Sequence, residues 1–333
     1  MTPTNNPPDK RDELADSYEL PNRVKETVPD PLVTVFTVTY QHAHYIRDCI
    51  EGVLMQKTTF PVEYVIGEDC STDGTREIVL EYAKKYPDKI RVVTADRNVG
   101  LKANAERCRK ALRGKYAALC EGDDYWTDPL KLQKQVEFLE ANPGYVMCYH
   151  AHRVLANDTL SGTIKGKDYT GDELVATPPG IATATKMTRV VSPGITGGDS
   201  AQLGGDHFMN AYLGMFGKCK FLPSVGPSVY RAHGKGNWTS KDEKARLHGT
   251  IRSKINVYRY FLGQQDHRRT MISLGALGEQ MEKSWHLIND KPKPFEANTS
   301  RARVVCGGLR LELHYGPFLA ALKKKIKGPR KKR

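Results

Sequence analysis

The stretch Glu121-Gly122-Asp123-Asp124 follows a short apolar run, Tyr116-Ala117-Ala118-Leu119-Cys120, and sets three carboxylates close together. Neighbouring carboxylates at the end of a strand repel each other and hold their charge well only opposite something positive. A divalent cation such as Mg²⁺ or Mn²⁺, itself bridging two phosphates, is a partner suited to hard oxygen ligands. The structural alternative is a helix N-terminus. Asp128-Pro129 opens a helix expected to carry Leu130, Leu132, Val136 and Leu139 along one side. That alternative explains Asp128 and leaves Asp123 and Asp124 unexplained. A cation site and a solvated acidic turn both stand at this point.

The elements that must hold these residues are regular over the first half of the chain. Leu32-Val33-Thr34-Val35-Phe36-Thr37-Val38-Thr39 is β-branched and apolar enough for a buried strand. Ile46, Ile50, Val53 and Leu54 then recur at helical spacing. Val62 to Gly67 reads as a second strand ending at Glu68-Asp69. Ser71-Thr72-Asp73-Gly74-Thr75 is a turn into a helix carrying Ile78, Val79, Tyr82 and Ala83. Ile90 to Thr94 is a third strand, a helix follows over about Lys102 to Leu112, and Tyr116 to Cys120 is the fourth strand. This rhythm predicts a parallel sheet with helices on both faces, and such sheets bind ligands at the carboxyl ends of their strands. Thr39-Tyr40, Asp69, Asp96-Arg97-Asn98 and Asp123-Asp124 all fall at those ends.

Beyond Met147 the pattern loosens. Leu155 to Pro193 is rich in Thr, Gly and Pro and is expected to form loops with short elements. Asp206 to Gly214 reads as a helix, and Lys220 to Pro223 and Ser228 to Arg231 as strands. Residues 240–290 read as helices with Ile251, Ile255, Tyr258 and Leu262 on one stripe.

Composition limits the function classes. The 333 residues, 39% hydrophobic and 27% charged, suit a globular chain with a substantial core. No apolar stretch approaches the roughly 20 residues that span a bilayer. Residues 1–30 are polar and Pro-rich, which predicts a disordered or loosely docked leader without the apolar core of a signal peptide. Seven cysteines without a Cys-x-x-Cys pair argue against a zinc site or a disulfide framework and fit a reducing cytoplasm. The net charge is +13, but Lys323, Lys324, Lys325, Lys327, Arg330, Lys331, Lys332 and Arg333 supply most of it. The basicity is mainly a property of the tail.

Taken in order, Thr39-Tyr40, Glu68-Asp69-Cys70-Ser71-Thr72-Asp73-Gly74-Thr75, Asn98-Val99-Gly100 and Glu121-Gly122-Asp123-Asp124 resemble the motifs of glycosyltransferase family 2. The resemblance continues through Gly205-Asp206-His207 and Tyr230-Arg231-Ala232-His233-Gly234-Lys235-Gly236-Asn237-Trp238, and spans residues 32 to about 240. It implies an α/β fold of the GT-A type, a Rossmann-like and mostly parallel sheet flanked by helices. It also implies a nucleotide-diphosphate sugar donor, a divalent metal (Mn²⁺ or Mg²⁺) and inversion at the anomeric carbon. The expected organisation is a disordered leader (1–30), a GT-A domain (31–240), a helical C-terminal extension (241–315) and a polybasic tail (316–333).

Carried over by motif, Thr39 and Tyr40 resemble nucleotide-binding residues, with Tyr40 packing against the base. Asp69 resembles the carboxylate that accepts a hydrogen bond from the base's ring N–H, which suits uracil or thymine, whereas Asp73 and Gly74 read as turn residues. Asn98, Lys102 and Asn104 are placed near the nucleotide, although the family often has Arg near Lys102. Asp123 and Asp124 resemble the pair that binds ribose and metal, with Asp124 first for the metal and Asp123 for ribose. Glu121 stands where an Asp is common. His233 resembles a late histidine that reaches the metal or the diphosphate, in a loop shared with Arg231 and Lys235-Gly236, and Trp238 is assigned to a lid. Asp206 is the candidate general base and Asp199 its competitor.

The implied function is transfer of a sugar from a donor, taken to be UDP-linked, to a hydroxyl of a saccharide or lipid-linked acceptor. The process would be cell-surface polysaccharide or lipopolysaccharide synthesis. Residues 316–333 would hold the protein peripherally at the anionic inner face of the cell membrane. A competing class is a nucleic-acid- or membrane-binding protein on an inactive GT-A scaffold, but no nucleic-acid-binding motif accompanies the basic tail. A nucleotidyltransferase of similar shape would need a Gly-rich basic loop after strand one, where Gln41-His42-Ala43-His44-Tyr45 stands instead.

Overall fold

The computed structural model describes residues 16–176, 181–191, 205–234, 236 and 240–284, and the backbone of 301–306 and 309–314. In chain order the elements begin with β1 (Tyr18–Glu19), α1 (Val24–Thr27), β2 (Val33–Thr39), α2 (Ile46–Leu54), β3 (Val62–Glu68) and α3 (Thr75–Lys85). They continue with β4 (Ile90–Thr94), α4 (Leu101–Lys110), β5 (Tyr116–Leu119), α5 (Lys131–Ala141), β6 (Tyr145–Tyr149), β7 (His152–Ala156) and β8 (Thr159–Leu160). Then come α6 (Gly171–Val175), β9 (Met187–Arg189), α7 (Gly205–Leu213), β10 (Lys218–Phe221), β11 (Ser228–Arg231), α8 (Glu243–Gly263) and α9 (His267–Lys283). The last elements are β12 (Arg301–Cys306) and β13 (Leu309–His314).

Eight strands form one sheet in the order β1-β4-β3-β2-β5-β9-β6-β10. β4, β3, β2 and β5 run parallel, and β9 is antiparallel to both its neighbours. The expected mostly parallel sheet is therefore present. The chain leaves β2 for β3 and β4 on one side and returns to β5 on the other, so a crevice opens beyond the carboxyl ends of β2 and β5.

β2 lies at the centre because every one of its residues is buried. Val33 and Val35 face a core shared with α2, α3 and α5, while Phe36 and Val38 face a second core with Cys108 of α4. Its hydroxyls are satisfied inside: Thr34 Oγ1 donates to Glu63 at 2.6 Å, and Thr37 pairs with the Tyr64 hydroxyl at 2.8 Å. In α2 the buried residues Ile46, Cys49, Ile50 and Val53 recur with helical period. Asp73 accepts from the Thr75 and Ala43 amides, and Gly74 (φ 101°) supplies the left-handed step into α3, as the turn reading expected.

Several expectations need correction. The α5 helix buries Leu132, Val136 and Leu139, but Leu130 precedes it and is exposed. Asp128 lies in the turn just before the helix, where it accepts from the Leu130 amide at 2.8 Å, and it does not cap the helix itself. On α8 the buried apolar positions are Leu247, Ile251, Ile255, Val257 and Phe261, whereas Leu262 is exposed. The region expected to be mainly loop sends β9 into the main sheet between β5 and β6, locked by Arg189 to the Tyr145 carbonyl and the Tyr116 hydroxyl. The described part of the leader is docked. β1 pairs with β4, and Glu19 meets Arg91, which also meets the buried Glu63. The C-terminal extension holds two helices followed by an antiparallel hairpin of β12 and β13.

Candidate active site

The carboxylate motif is carried on a backbone that continues β5 alongside β2. The Cys120 amide donates to the Phe36 carbonyl and the Gly122 amide to the Val38 carbonyl, each at 3.1 Å. A side chain at Gly122 has no room, because its Cβ would lie 2.6 Å from Thr39 Oγ1 and 2.8 Å from His42 Nδ1. One turn later, Tyr125 bridges to Val229 of β11 through two backbone hydrogen bonds. The loop is thereby tied to the small sheet formed by β11, β7 and β8.

The carboxylates point to different partners. Asp123 Oδ2 lies 3.1 Å from His233 Nε2 and 3.9 Å from His42 Nε2. Asp124 is buried, and its Oδ1 accepts from the Arg231 amide at 2.9 Å. Glu121 keeps one carboxylate oxygen buried without a hydrogen-bond partner among the described residues. Asp206, exposed at the start of α7, accepts from the Thr183 hydroxyl.

Their electrostatics are shared. Burial, then the Asp206 and Asp123 carboxylates, push the Glu121 carboxyl up to about 8. Burial, then Glu121 and Asp123, hold Asp124 well above the carboxylate range against the pull of the Arg231 amide. The same three acids and burial raise the Tyr230 phenol to about 12. Asp206 goes the other way. Surrounding protein desolvates it, but Lys186, the Thr183 hydroxyl, His207 and Arg109 more than offset this and keep it below its ordinary value. One acid poised ionised beside others that resist ionisation is the division of labour expected of an acid–base site.

The remaining predicted residues sit as follows. Thr39 is buried, with its hydroxyl 3.2 Å from His42 Nδ1, and Tyr40 is 43% exposed beside it. Asp69 is only 1% exposed. Its two oxygens accept from the Val99 and Gly100 amides at 2.9 Å, so it clamps the 98–100 loop rather than opening toward solvent. Asn98 is exposed and donates to the Asp69 carbonyl, and Lys102 is exposed on the first turn of α4. Asn104 does not face the crevice: it is buried and donates to the Gly67 carbonyl at 2.8 Å. Asp199, Lys235, Asn237, Trp238 and the polybasic tail lie outside the described residues.

The sequence reading missed four contributors. Arg107, five residues past Lys102 on α4, reaches the Glu68 carbonyl at 2.6 Å and Asp69 at 3.4 Å. His42 and Tyr45 come from the loop that was noted only for lacking glycines. Lys186, just before β9, became visible only once β9 entered the sheet. A histidine three residues past a strand end was the one available signal.

Among the described residues no three His, Cys, Asp or Glu side chains are already grouped to hold a metal. The donor chemistry nonetheless fits a hard divalent cation: carboxylate oxygens and one imidazole, with a buried Glu121 oxygen unsatisfied. No described helix is long and apolar enough to cross a membrane.

A family model, glycosyl transferase family 2, matches residues 34–190. An uncharacterised protein of Mycobacterium tuberculosis is 45% identical over 38% of this chain and 36% of its own length. A putative teichuronic acid biosynthesis glycosyltransferase of Bacillus subtilis is 38% identical over 33% of this chain and 42% of its own. The matched stretches thus span well under half the length of these relatives. Among solved structures, Staphylococcus aureus TarS 1–349 in complex with UDP superposes with a TM-score of 0.55, 15% identity, and coverage of 79% of this chain and 75% of its own. A mannosyltransferase from Pyrobaculum calidifontis in complex with GDP-Man and Mn²⁺ gives a TM-score of 0.54 and 17% identity, with coverage of 78% and 76%. At these identities the two structures establish likeness of fold.

Proposed function

Because this chain belongs to glycosyltransferase family 2, we propose that it transfers a sugar, with inversion, from a UDP-linked donor to an acceptor hydroxyl in cell-surface polysaccharide synthesis. The observation that carries this reading is the split within the carboxylate cluster. Asp123 faces His233 at 3.1 Å, while Asp206, close enough to Glu121 to raise its carboxyl, keeps its own charge favoured.

Asp206 accepts the proton of the acceptor hydroxyl as that oxygen bonds to the anomeric carbon. The bond from the anomeric carbon to the phosphate oxygen breaks on the opposite face, and the diphosphate leaves with the electron pair. Asp123 and His233 would hold Mn²⁺ or Mg²⁺, which when bound supplies positive charge to offset that of the leaving diphosphate. Asp124, expected first for the metal, accepts from the Arg231 amide, so on this reading the metal falls to Asp123, which was expected first for ribose. Tyr40 and the 98–100 loop clamped by Asp69 and Arg107 border the place for the base. A uracil reading is supported by the UDP held in the TarS structure, while Asp69, buried with both oxygens occupied, adds nothing to it; the GDP-Man complex of the mannosyltransferase keeps guanine as the competitor.

Thermal unfolding against UDP, GDP, dTDP and CMP, each with Mn²⁺, Mg²⁺ or EDTA, tests this. A nucleotide at about 100 times its Kd adds about 2.7 kcal/mol of stability, a rise of a few degrees. The expected pattern is a rise with UDP and Mn²⁺ that EDTA removes and that Asp123→Ala loses. No shift with any pair would overturn the reading.

A further inference from the structure

The contact between His233 and Asp123 is backed by two further residues, Tyr45 and Arg231. Tyr45, the residue before α2, stacks on the His233 ring with centroids 4.8 Å apart and planes 30° apart. The Arg231 guanidinium lies against two rings, 5.3 Å from the centre of Tyr45 and 4.5 Å from that of Tyr125. It donates to the Asp123 carbonyl at 3.0 Å and pairs with Asp48 in the first turn of α2. Its own amide donates to Asp124, so one residue of β11 reaches both aspartates and the start of α2.

An imidazole bonded through one nitrogen to a carboxylate still turns about its side-chain torsions. A ring face on one side removes that freedom before any ligand arrives. The other nitrogen of His233 is buried and has no hydrogen-bond partner among the described residues. Among those residues the ring is oriented by its stacking on Tyr45, which the Arg231 guanidinium backs.

We propose that Tyr45 and Arg231, anchored by Asp48, are positioning residues that preorganise His233 against Asp123, so that the start of α2 sets part of the affinity for the divalent cation. This rests on the cation reading above. It assigns to the 41–48 segment a role that the carboxylate motif does not contain. Fixing one side chain before binding is worth about threefold to tenfold in affinity.

The test is calorimetric titration of Mn²⁺ into the full chain with UDP present, and with GDP in parallel. Tyr45→Ala is expected to weaken Mn²⁺ about fivefold to tenfold. Tyr45→Phe, which keeps the ring, should stay within about twofold, and Asp48→Asn should weaken it about threefold. In a His233→Ala background, Tyr45→Ala should add nothing, because the two residues act through one contact. Wild-type affinity in Tyr45→Ala, or losses that simply multiply with His233→Ala, overturns the brace and leaves the cation reading intact. A wild-type chain that binds no Mn²⁺ with either nucleotide overturns both. Melting curves accompany each variant. If Tyr45→Ala does not fold, Asp48→Asn decides instead, since its side chain is 58% exposed and its loss spares the core. Unchanged affinity there overturns the proposal.

Discussion

Two walls face each other across the crevice, and they are built on different foundations. Thr39 and the 121–124 loop extend from β2 and β5, strands buried in the main sheet, through backbone hydrogen bonds that follow the strand pairing. Asp206 opens α7, whose Phe208, Ala211 and Tyr212 pack with Val257 and Phe261 of α8, and His233 follows β11 in a small second sheet. The first wall is part of the core of the fold. The second joins it through β10, the main-sheet strand that follows α7, through the Tyr125–Val229 bridge and through side chains. Damage to the first should therefore register as lost stability, and damage to the second as lost turnover.

The largest expected effect tests the second wall. Asp206→Asn should lower kcat by about 10³-fold while leaving nucleotide affinity unchanged, because a general base, the role proposed for Asp206, acts in the transition state. Losing the charge that Lys186 and Thr183 favour should lower the melting temperature only slightly. Steady-state kinetics with unfolding of the same preparation checks it. Loss of nucleotide binding in that variant would mean that the walls are not independent.

Next comes Gly122→Ala on the first wall. The new methyl would meet Thr39 Oγ1 at 2.6 Å and His42 Nδ1 at 2.8 Å, both on short side chains at the end of β2. Overpacking of this kind costs about 2–3 kcal/mol, to be read as a lower urea midpoint. A variant as stable as wild type but inactive would break the comparison.

The smallest effect lies at the sheet edge, away from both walls. Hydrogen bonds from Arg91 are the main reason that the Glu19 carboxyl is held down to about 2 in the folded chain. Its contribution is complete above the ordinary value near 4.5 and is lost as pH falls from there toward 2, the direction required when the unfolded chain binds the extra proton. With the side chain partly solvated, the contribution is at most about 2 kcal/mol. Glu19→Gln should flatten stability across that pH window in urea titrations without altering activity at neutral pH.

The first wall was largely legible in the sequence because each part announces itself locally. The β-branched apolar run of Val33 to Thr39, the helical spacing of Ile46, Ile50 and Val53, and polar residues at the strand ends are all local properties of the chain. β9 escaped because three residues carry no period, and only its partners β5 and β6 make it a strand. Lys131 shows the same limit. It reads as a solvated helix residue, yet it is fully buried, 3.8 Å above the Trp126 ring and bonded to Gln135, with burial pulling its ammonium down to about 7. Asn104 and Leu130 exchanged inside for outside for a similar reason: a helix's apolar face is fixed by what packs on it, and that is absent from a local pattern.

By itself the sequence determined which donors exist and that they collect at the carboxyl ends of parallel strands, since strand periodicity and motif order are properties of the chain. Only the tertiary structure decided which partner each donor meets. Asp123 and Asp124 are adjacent in sequence and chemically alike, so nothing local separates them. Their difference comes from His233 and Arg231, more than a hundred residues away, which draw one carboxylate into the crevice and bury the other against a backbone amide.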